Sequence, residues 1–480
     1  MKHTSVFIPV LLTGLFLFAG LTSCNNGAKK KPGKQPERRV SDFGFQPGKI
    51  YDTVPCAGHP GETYALYLPR GVAAGKHFPV IFFFDAQARG ILPVKRYRPL
   101  ADTFGFILVA SNNSKNGLTA QERNRLIYNF MSDVEKRFPL DTQRIYTGGF
   151  SGGARIAAGI GLSNPGIAGV IGCAAGFPQL HRVVNKQMAY VGVVGNTDFN
   201  YLEMETLSQE LEAARWRHCL LVFDGHHQWP PRATMKEAFS FLQTDAMRRH
   251  LIPVDTRLVQ AIQRAFDQKR KDARKSKNLL LLWQTDRQAI AFLEGLSDVS
   301  PYQNELQELL HDPLWQKLKK MQTARRKEER EQQQRFARAL PAETTAWWQK
   351  ALHDLASAKT SAVTPAKKQR VQRLYNYLSL MAYLYADGSL KNGQTEEARK
   401  YLMIYRFVDP DNPEVYYLKA RWYAETGQRS KVLSVLQKAA DKGFYDFKRL
   451  GSDADFSSFH QNKTFLKILA QVKNNPMKEM

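Results

Sequence analysis

A serine within a run of glycines is the first residue of this sequence to suggest chemistry. Gly149-Phe150-Ser151-Gly152-Gly153 has the pattern G-x-S-x-G. A nucleophilic serine on a sharp turn from strand to helix needs neighbours without bulk, because the helix packs against the sheet at that point. The same turn aims the next N–H at the oxygen that becomes negative during acyl transfer. The pattern predicts a nucleophile at Ser151, and the alternative is a glycine-rich turn without chemistry.

A carboxylate and a histidine that could serve this serine follow it along the chain. Asp198 comes directly after an apolar run, and His226 and His227 follow the next run. The order serine, acid, histidine is the one used with this kind of serine turn. Asp224 is a weaker candidate for the acid, because it would have to fold back on His227 within one tight turn. The order therefore predicts Ser151, Asp198 and His227 as a catalytic triad.

The elements that must position these residues alternate between strands and helices from 48 to 250. This alternation is typical of an α/β domain with a parallel sheet covered by helices. A stripe of apolar residues at every fourth position predicts a helix over Gln121–Phe138. The predicted strands are Thr63–Leu68, Val80–Phe84, Phe106–Ala110, Arg144–Thr147, Gly169–Cys173, Met188–Val194 and Cys219–Phe223.

Three segments of this domain carry a family resemblance. Asp141–Tyr146 leads into the serine turn, Gly195–Asp198 contains the acid, and Gly225-His226-His227-Gln228-Trp229 contains the histidines. Together they resemble the esterase and polyhydroxybutyrate-depolymerase-like branch of the α/β-hydrolases. The family pattern G-G-H-x-W puts the base on His227 and places His226 where a glycine is usual. His226 then either lines the pocket or is a surface residue.

The resemblance also implies two backbone donors for the oxyanion and no metal or cofactor. By position these donors are the N–H groups of Gln87 and Gly152, although the family's His-Gly after the third strand is replaced here by Asp85-Ala86-Gln87. Asp85 could instead hold this loop by accepting backbone hydrogen bonds. No long lid is expected between Cys173 and Met188, which predicts an open cleft for a bulky or polymeric ester substrate.

The N-terminus has the features of a targeting segment. Lys2 precedes the apolar run Phe7–Leu21, and Leu21-Thr22-Ser23-Cys24 resembles the lipobox of bacterial lipoproteins. This resemblance implies a signal peptide over 1–23, a lipidated Cys24 and a place in the bacterial cell envelope. The lysines and arginines of 24–47 predict a basic tether to anionic headgroups or a plain linker. An uncleaved anchor helix is the alternative.

Composition limits the classes of protein to consider. The chain has 480 residues, 43% hydrophobic and 24% charged, which predicts more than one folded domain. A net charge of +25 favours anionic neighbours, but no nucleic-acid-binding motif is present, so we expect no nucleic acid partner. Four cysteines without a C-x-x-C pair argue against a structural zinc site.

Beyond residue 250 the strand patterns stop and all-α structure is expected. Residues 251–360 predict a charged helical region, in which Gln322–Arg335 lacks large apolar residues and should be a solvent-exposed spacer helix. In 361–480, a shift of 34 residues aligns Ala386 with Ala420 and Gly393 with Gly427. That is the tetratricopeptide period.

The units Ser379–Asn412 and Pro413–Leu450 resemble tetratricopeptide repeats. The resemblance implies a surface for a protein partner, and helical packing without a groove is the alternative. Two functions follow from the whole chain. The first is a membrane-anchored serine esterase with a helical appendage. The second is an envelope scaffold with a degenerate hydrolase domain and protein-binding repeats.

Overall fold

The computed structural model describes residues 44–72, 76–177 and 184–476. The predicted signal peptide, Cys24 and the tether up to residue 43 lie outside the described residues. Within the described part, no helix has both the length and the apolar character needed to cross a membrane.

The chain packs as two compact units. Of the described residues, the first comprises those up to Gly172 together with Phe177 and 184–191, and the second comprises Cys173–Gly176 and 192–476. The expected boundaries at 250 and 360 both fall inside the second unit and stay predictions.

The strands form one eight-stranded sheet in the order β1-β2-β4-β3-β5-β6-β7-β8. They are β1 Ile50–Cys56, β2 His59–Tyr67, β3 Phe78–Asp85, β4 Ile107–Ser111, β5 Leu140–Phe150, β6 Ile167–Cys173, β7 Ala189–Gly195 and β8 His218–Phe223. Every residue of β3 is buried, and β3 pairs in parallel with both β4 and β5. A strand buried on both faces has a continuous run of apolar residues rather than an alternating pattern. The predicted α/β class is confirmed, and each predicted strand is present.

The sheet is parallel in its middle and antiparallel at one edge. β1 pairs antiparallel with β2, and β2 pairs antiparallel with β4. The turn between β1 and β2 is tight, with Gly58 at a φ of +76°, and antiparallel strands can be joined in this way without a crossover. β1 was not predicted because only Val54 and Cys56 are buried in it, so its sequence lacks a strong apolar pattern.

Three helices accompany the sheet within the first unit: α1 Ile91–Phe104, α2 Ala120–Arg137 and α3 Gly152–Ser163. α2 begins with a capping box, in which the Thr119 hydroxyl accepts from the Glu122 N–H and the Glu122 carboxylate accepts from the Thr119 N–H. Its stripe of Leu126, Phe130 and Val134 is buried. The predicted helix is confirmed to within one residue at its start.

The second unit is helical apart from its part of the sheet. Its helices are α4 Tyr201–Ala213, α5 Arg232–Arg248, α6 Thr256–Lys275, α7 Leu279–Leu293, α8 Ser300–His311, α9 Pro313–Ala342, α10 Thr345–Thr360, α11 Pro365–Lys391, α12 Thr395–Val408, α13 Pro413–Glu425, α14 Arg429–Asp441, α15 Phe447–Ser452 and α16 Lys463–Asn474. A short 3₁₀ helix covers Ala454–Phe459. The all-α region expected after residue 250 is confirmed.

The helices α5 and α7, on either side of residue 250, both pack against the edge strand β8. The Gln288 side-chain amide on α7 donates to the Leu220 carbonyl of β8 at 2.8 Å. The rings of Phe241 on α5 and Phe292 on α7 meet edge to face, with centroids 5.1 Å apart. Residues on both sides of position 250 therefore share one core.

The two segments related by the 34-residue shift have matching structures. α11 pairs with α12 and α13 with α14 as helical hairpins. Ala386 and Ala420 are both fully buried, and Gly393 and Gly427 take left-handed φ values of +68° and +74° after the first helix of each pair. These features agree with a repeat of this length, and the assignment to the tetratricopeptide family stays a prediction.

The solvent-exposed helix expected over Gln322–Arg335 is present, but one of its residues is buried. This segment lies in α9, where Glu329 is only 2% exposed and pairs with the buried guanidinium of Arg373 on α11. A charged side chain is buried when a partner neutralises it and satisfies its hydrogen bonds. The pattern of apolar residues along the chain cannot reveal such a partner.

Candidate active site

Ser151 lies at the sharp turn from β5 to α3. Its backbone has φ +56° and ψ −121°, and it immediately precedes Gly152, the first residue of α3. A left-handed conformation at a residue with a side chain costs about 1–3 kcal/mol and persists only where the surroundings impose it. The turn thus has the strained geometry expected of a nucleophile elbow.

The glycines around Ser151 are required by backbone packing. A Cβ atom added at Gly149 would overlap the Gly153 carbonyl, and one added at Gly153 would overlap the Phe84 carbonyl at the end of β3. Backbone atoms in a sheet cannot move aside as flexible side chains do. The spacing of small residues in G-x-S-x-G therefore follows from the close approach of the start of α3 to the end of β5 and to β3.

One of the two predicted oxyanion donors lies at the start of α3. As the first residue of this helix, Gly152 has an N–H without an acceptor inside the helix. The Asn116 side-chain oxygen lies against the Cα of Gly152, and the Asn116 N–H donates to the Ala86 carbonyl at 2.9 Å. Sequence reasoning did not identify Asn116, which no motif marks.

The other predicted donor is engaged within its own loop. The Gln87 N–H donates to Asp85 Oδ1 at 2.8 Å. Arg89 holds the same carboxylate through Nε at 2.9 Å and Nη2 at 3.0 Å, and both charged groups are buried. Asp85 therefore organises this loop, as its alternative interpretation expected. A role for the Gln87 N–H towards a substrate oxygen stays a prediction.

The acid and the histidine meet within the second unit. His227 Nδ1 lies 3.0 Å and 3.1 Å from the two carboxylate oxygens of Asp198, which is fully buried. The Asn200 N–H also donates to Asp198 Oδ1 at 2.8 Å. Since the Asp198 carboxylate accepts a hydrogen bond from Nδ1–H, the neutral imidazole presents Nε2 as its acceptor. That is the tautomer a general base needs.

Backbone contacts join the loops that carry these two residues. The Asn196 N–H donates to the Phe223 carbonyl at 2.8 Å, and the Thr197 N–H donates to the Gly225 carbonyl at 3.0 Å. The Phe199 ring lies 4.1 Å from the imidazole of His227, centroid to centroid. The imidazole of His227 is thus held by its hydrogen bond to Asp198 and by its contact with the Phe199 ring.

Asp224 and His226 are the weaker candidates for the acid and the base. Asp224 accepts a hydrogen bond from the Asn196 side-chain amide at 2.9 Å. The pKa of His226 is lowered, first by partial burial and then by the neighbouring His227. The structure pairs Asp198 with His227, in agreement with the register G-x-H-x-W.

No group of three or more histidine, cysteine and acidic side chains in the described part of the chain could hold a metal ion. Cys56, Cys173 and Cys219 are free and buried. Burial raises the pKa of the Cys56 thiol to about 11 and that of the other two still further. These thiols are therefore protonated near neutral pH.

The strand order, the antiparallel second strand and the serine elbow after β5 decide the fold. The chain has an α/β-hydrolase fold. This fold is followed by the helical region that begins with α6.

Known proteins are similar to this chain at the level of structure. No family model and no curated protein matches the sequence. Similar solved structures include an S-formylglutathione hydrolase of Staphylococcus aureus, at 13% identity and a TM-score of 0.36, covering 41% of this chain and 98% of that one. A ferulic acid esterase has 15% identity and a TM-score of 0.35, over 41% of this chain and 98% of that one. A fluorophosphonate-binding serine hydrolase F of Staphylococcus aureus has 14% identity and a TM-score of 0.34, over 41% and 99%.

Proposed function

We propose that this protein is a serine hydrolase that acts on carboxylic esters. Ser151 is the nucleophile, His227 the general base and Asp198 the residue that orients the base. The proposal rests chiefly on the hydrogen bond between His227 Nδ1 and the buried Asp198, which leaves Nε2 as an acceptor. The strained turn at Ser151 supports it, because this conformation has a cost that a plain loop would avoid.

In the proposed reaction, Ser151 Oγ attacks the ester carbonyl carbon while His227 Nε2 takes the hydroxyl proton. The imidazolium is stabilised by Asp198 and returns the proton to the departing alkoxide, which leaves an acyl-enzyme. Water then attacks the acyl carbon with the same base, and the carboxylic acid and free Ser151 are released.

The negative carbonyl oxygen of the tetrahedral intermediate needs donors. The N–H of Gly152 is one, at the positive end of α3. The Gln87 N–H can act as the second by sharing its hydrogen between Asp85 Oδ1 and the substrate oxygen, since such three-centre bonds occur in proteins.

The substrate class belongs to the same proposal. The segment between Cys173 and Met188 connects β6 to β7 without a long insertion, which suits a bulky or polymeric ester. Residues 178–183 of this segment lie outside the described part of the chain.

Labelling by a fluorophosphonate probe tests the proposed nucleophile. The full-length protein should be labelled and should hydrolyse aryl esters, and Ser151→Ala should lose both properties. Ser163→Ala is the matched control, because its hydroxyl lies at the far end of α3 and bonds to the Gly159 carbonyl. A folded wild-type protein that is neither labelled nor active would exclude the esterase and favour the scaffold with a degenerate hydrolase domain.

We further propose that Cys24 is lipidated and anchors the protein in the bacterial cell envelope. Cys24→Ser should abolish metabolic labelling by a fatty-acid analogue and release the protein from the membrane fraction, because the basic tether alone gives only salt-sensitive attachment. Cys56→Ser is the control, since Cys56 is a buried free thiol. Fatty-acid labelling that persists in Cys24→Ser would contradict the anchor.

A further inference from the structure

The loop that carries Asp198 is bound by side chains from the helical region of the same unit. On α11, Arg373 Nη1 donates to the Asn196 carbonyl at 2.7 Å. Asn376 Nδ2 donates to the Thr197 carbonyl at 2.7 Å. These side chains lie three positions apart on one face of α11, and the carbonyls belong to the two residues before Asp198.

Arg373 is itself held rigidly. Its Nε and Nη2 donate to the two carboxylate oxygens of Glu329 on α9, both at 2.6 Å. Arg373 is 8% exposed and Glu329 2% exposed. A buried bidentate pair fixes the plane of the guanidinium, so the remaining Nη1 points in a defined direction. Here that direction is the loop of the catalytic acid.

The far end of the same loop is also bound from α9 and α11. The guanidinium of Arg373 lies 4.5 Å from the ring centroid of Tyr201, the first residue of α4. The Tyr201 hydroxyl donates to Glu205 at 3.0 Å, and Arg326 on α9 donates to the same carboxylate oxygen at 2.7 Å. The loop is therefore held where it leaves β7 and where it enters α4.

We infer that Arg373 and Asn376 are positioning residues for Asp198, so that the helical region completes the hydrolase site. This inference rests on the proposed function. A carboxylate displaced by about 1 Å no longer aligns the imidazole, and misplacement of that size can cost about 10²-fold in rate. The helical region thereby acts in catalysis without touching the substrate.

A neighbouring ion pair shows what a purely structural link between these helices is like. Arg370, one turn earlier on α11, pairs with Glu328 on α9 at 2.6 Å. Its side chain is 33% exposed and that of Glu328 is 59% exposed. Arg370 therefore provides a control of the same residue type on the same pair of helices.

The experiment compares full-length variants in steady-state hydrolysis of an aryl ester. Asn376→Ala should lower kcat about 10- to 100-fold with KM near the wild-type value, because only the alignment of the base is lost. Arg370→Ala should leave both constants unchanged. Removing Arg373 alone would leave Glu329 buried and unpaired, so the double variant Arg373→Leu with Glu329→Leu is used. An apolar replacement of a buried pair often preserves the fold.

A second measurement distinguishes positioning from general stabilisation. Asn376→Ala introduced into Asp198→Asn should cause little further loss of kcat, because its effect passes through Asp198. An equal loss in both backgrounds would overturn the inference. So would wild-type kcat in Asn376→Ala and in the folded double variant, while the esterase itself would stand. A wild-type protein that is inert and unlabelled removes the proposed function, and the inference falls with it.

Discussion

The serine elbow and the acid loop are held in place by different means. The turn at Ser151 depends on its immediate neighbours, since a Cβ atom at Gly149 would overlap the Gly153 carbonyl. Asp198 lies in a loop whose carbonyls are held by Arg373, which follows Asn196 by 177 residues. A proposed nucleophile held mainly by local backbone packing should depend little on side chains elsewhere in the chain. An acid held by distant side chains makes activity depend on the packing of another region.

The largest effects should come from the proposed nucleophile and base, for which the two regions are expected to be equally important. His227→Ala and Ser151→Ala should each reduce kcat by about 10⁴-fold or more, because nucleophile and base act as one unit. The double variant should be no worse than either single variant, as measured by ester turnover with circular dichroism as the check on folding. Losses that multiply in the double variant would mean that the two residues do not work together.

Glycine substitutions test the local character of the elbow. Gly153→Ala places a Cβ against the Phe84 carbonyl and should lower the free energy of unfolding by about 1–3 kcal/mol, the usual cost of overpacking. Gly159 lies on the same helix and has open space around an added Cβ, so Gly159→Ala should raise the free energy of unfolding by about 0.5–1 kcal/mol. Thermal or urea unfolding measures both. Equal stability of the two variants would show that close packing does not constrain the elbow.

The smallest effect is expected at the histidine next to the base. His226→Ala should change kcat less than tenfold, because Asp198 pairs directly with His227 and His226 takes no part in that pair. A shift in preference among esters would mean that the ring of His226 lines the cleft. If His226→Ala were inactive while a folded His227→Ala kept its activity, the register of this loop would be wrong by one residue.

The elbow, the strands of the sheet and the helix α2 were open to prediction because each depends on neighbours close in the chain. The spacing of glycines around Ser151 and the apolar stripe of α2 are local patterns with a direct steric or hydrophobic cause. The pairing of Asp198 with His227 was predicted from their order and from a family pattern. β1 was missed, because an edge strand with one exposed face has little apolar signal.

The contacts of the acid loop could not be predicted in this way. Glu329 lies in a segment that appears solvent-exposed from its composition, because burial of a charge depends on a partner, here Arg373, that is distant in the chain. The hydrogen bond from the Gln87 N–H to Asp85 is likewise visible only once the loop is folded. The sequence alone determined the candidate residues of the proposed site and their order along the chain, through local sterics and apolar periodicity. Only the tertiary structure decided what holds the acid loop in place, because that depends on pairing between charges and carbonyls brought together by folding.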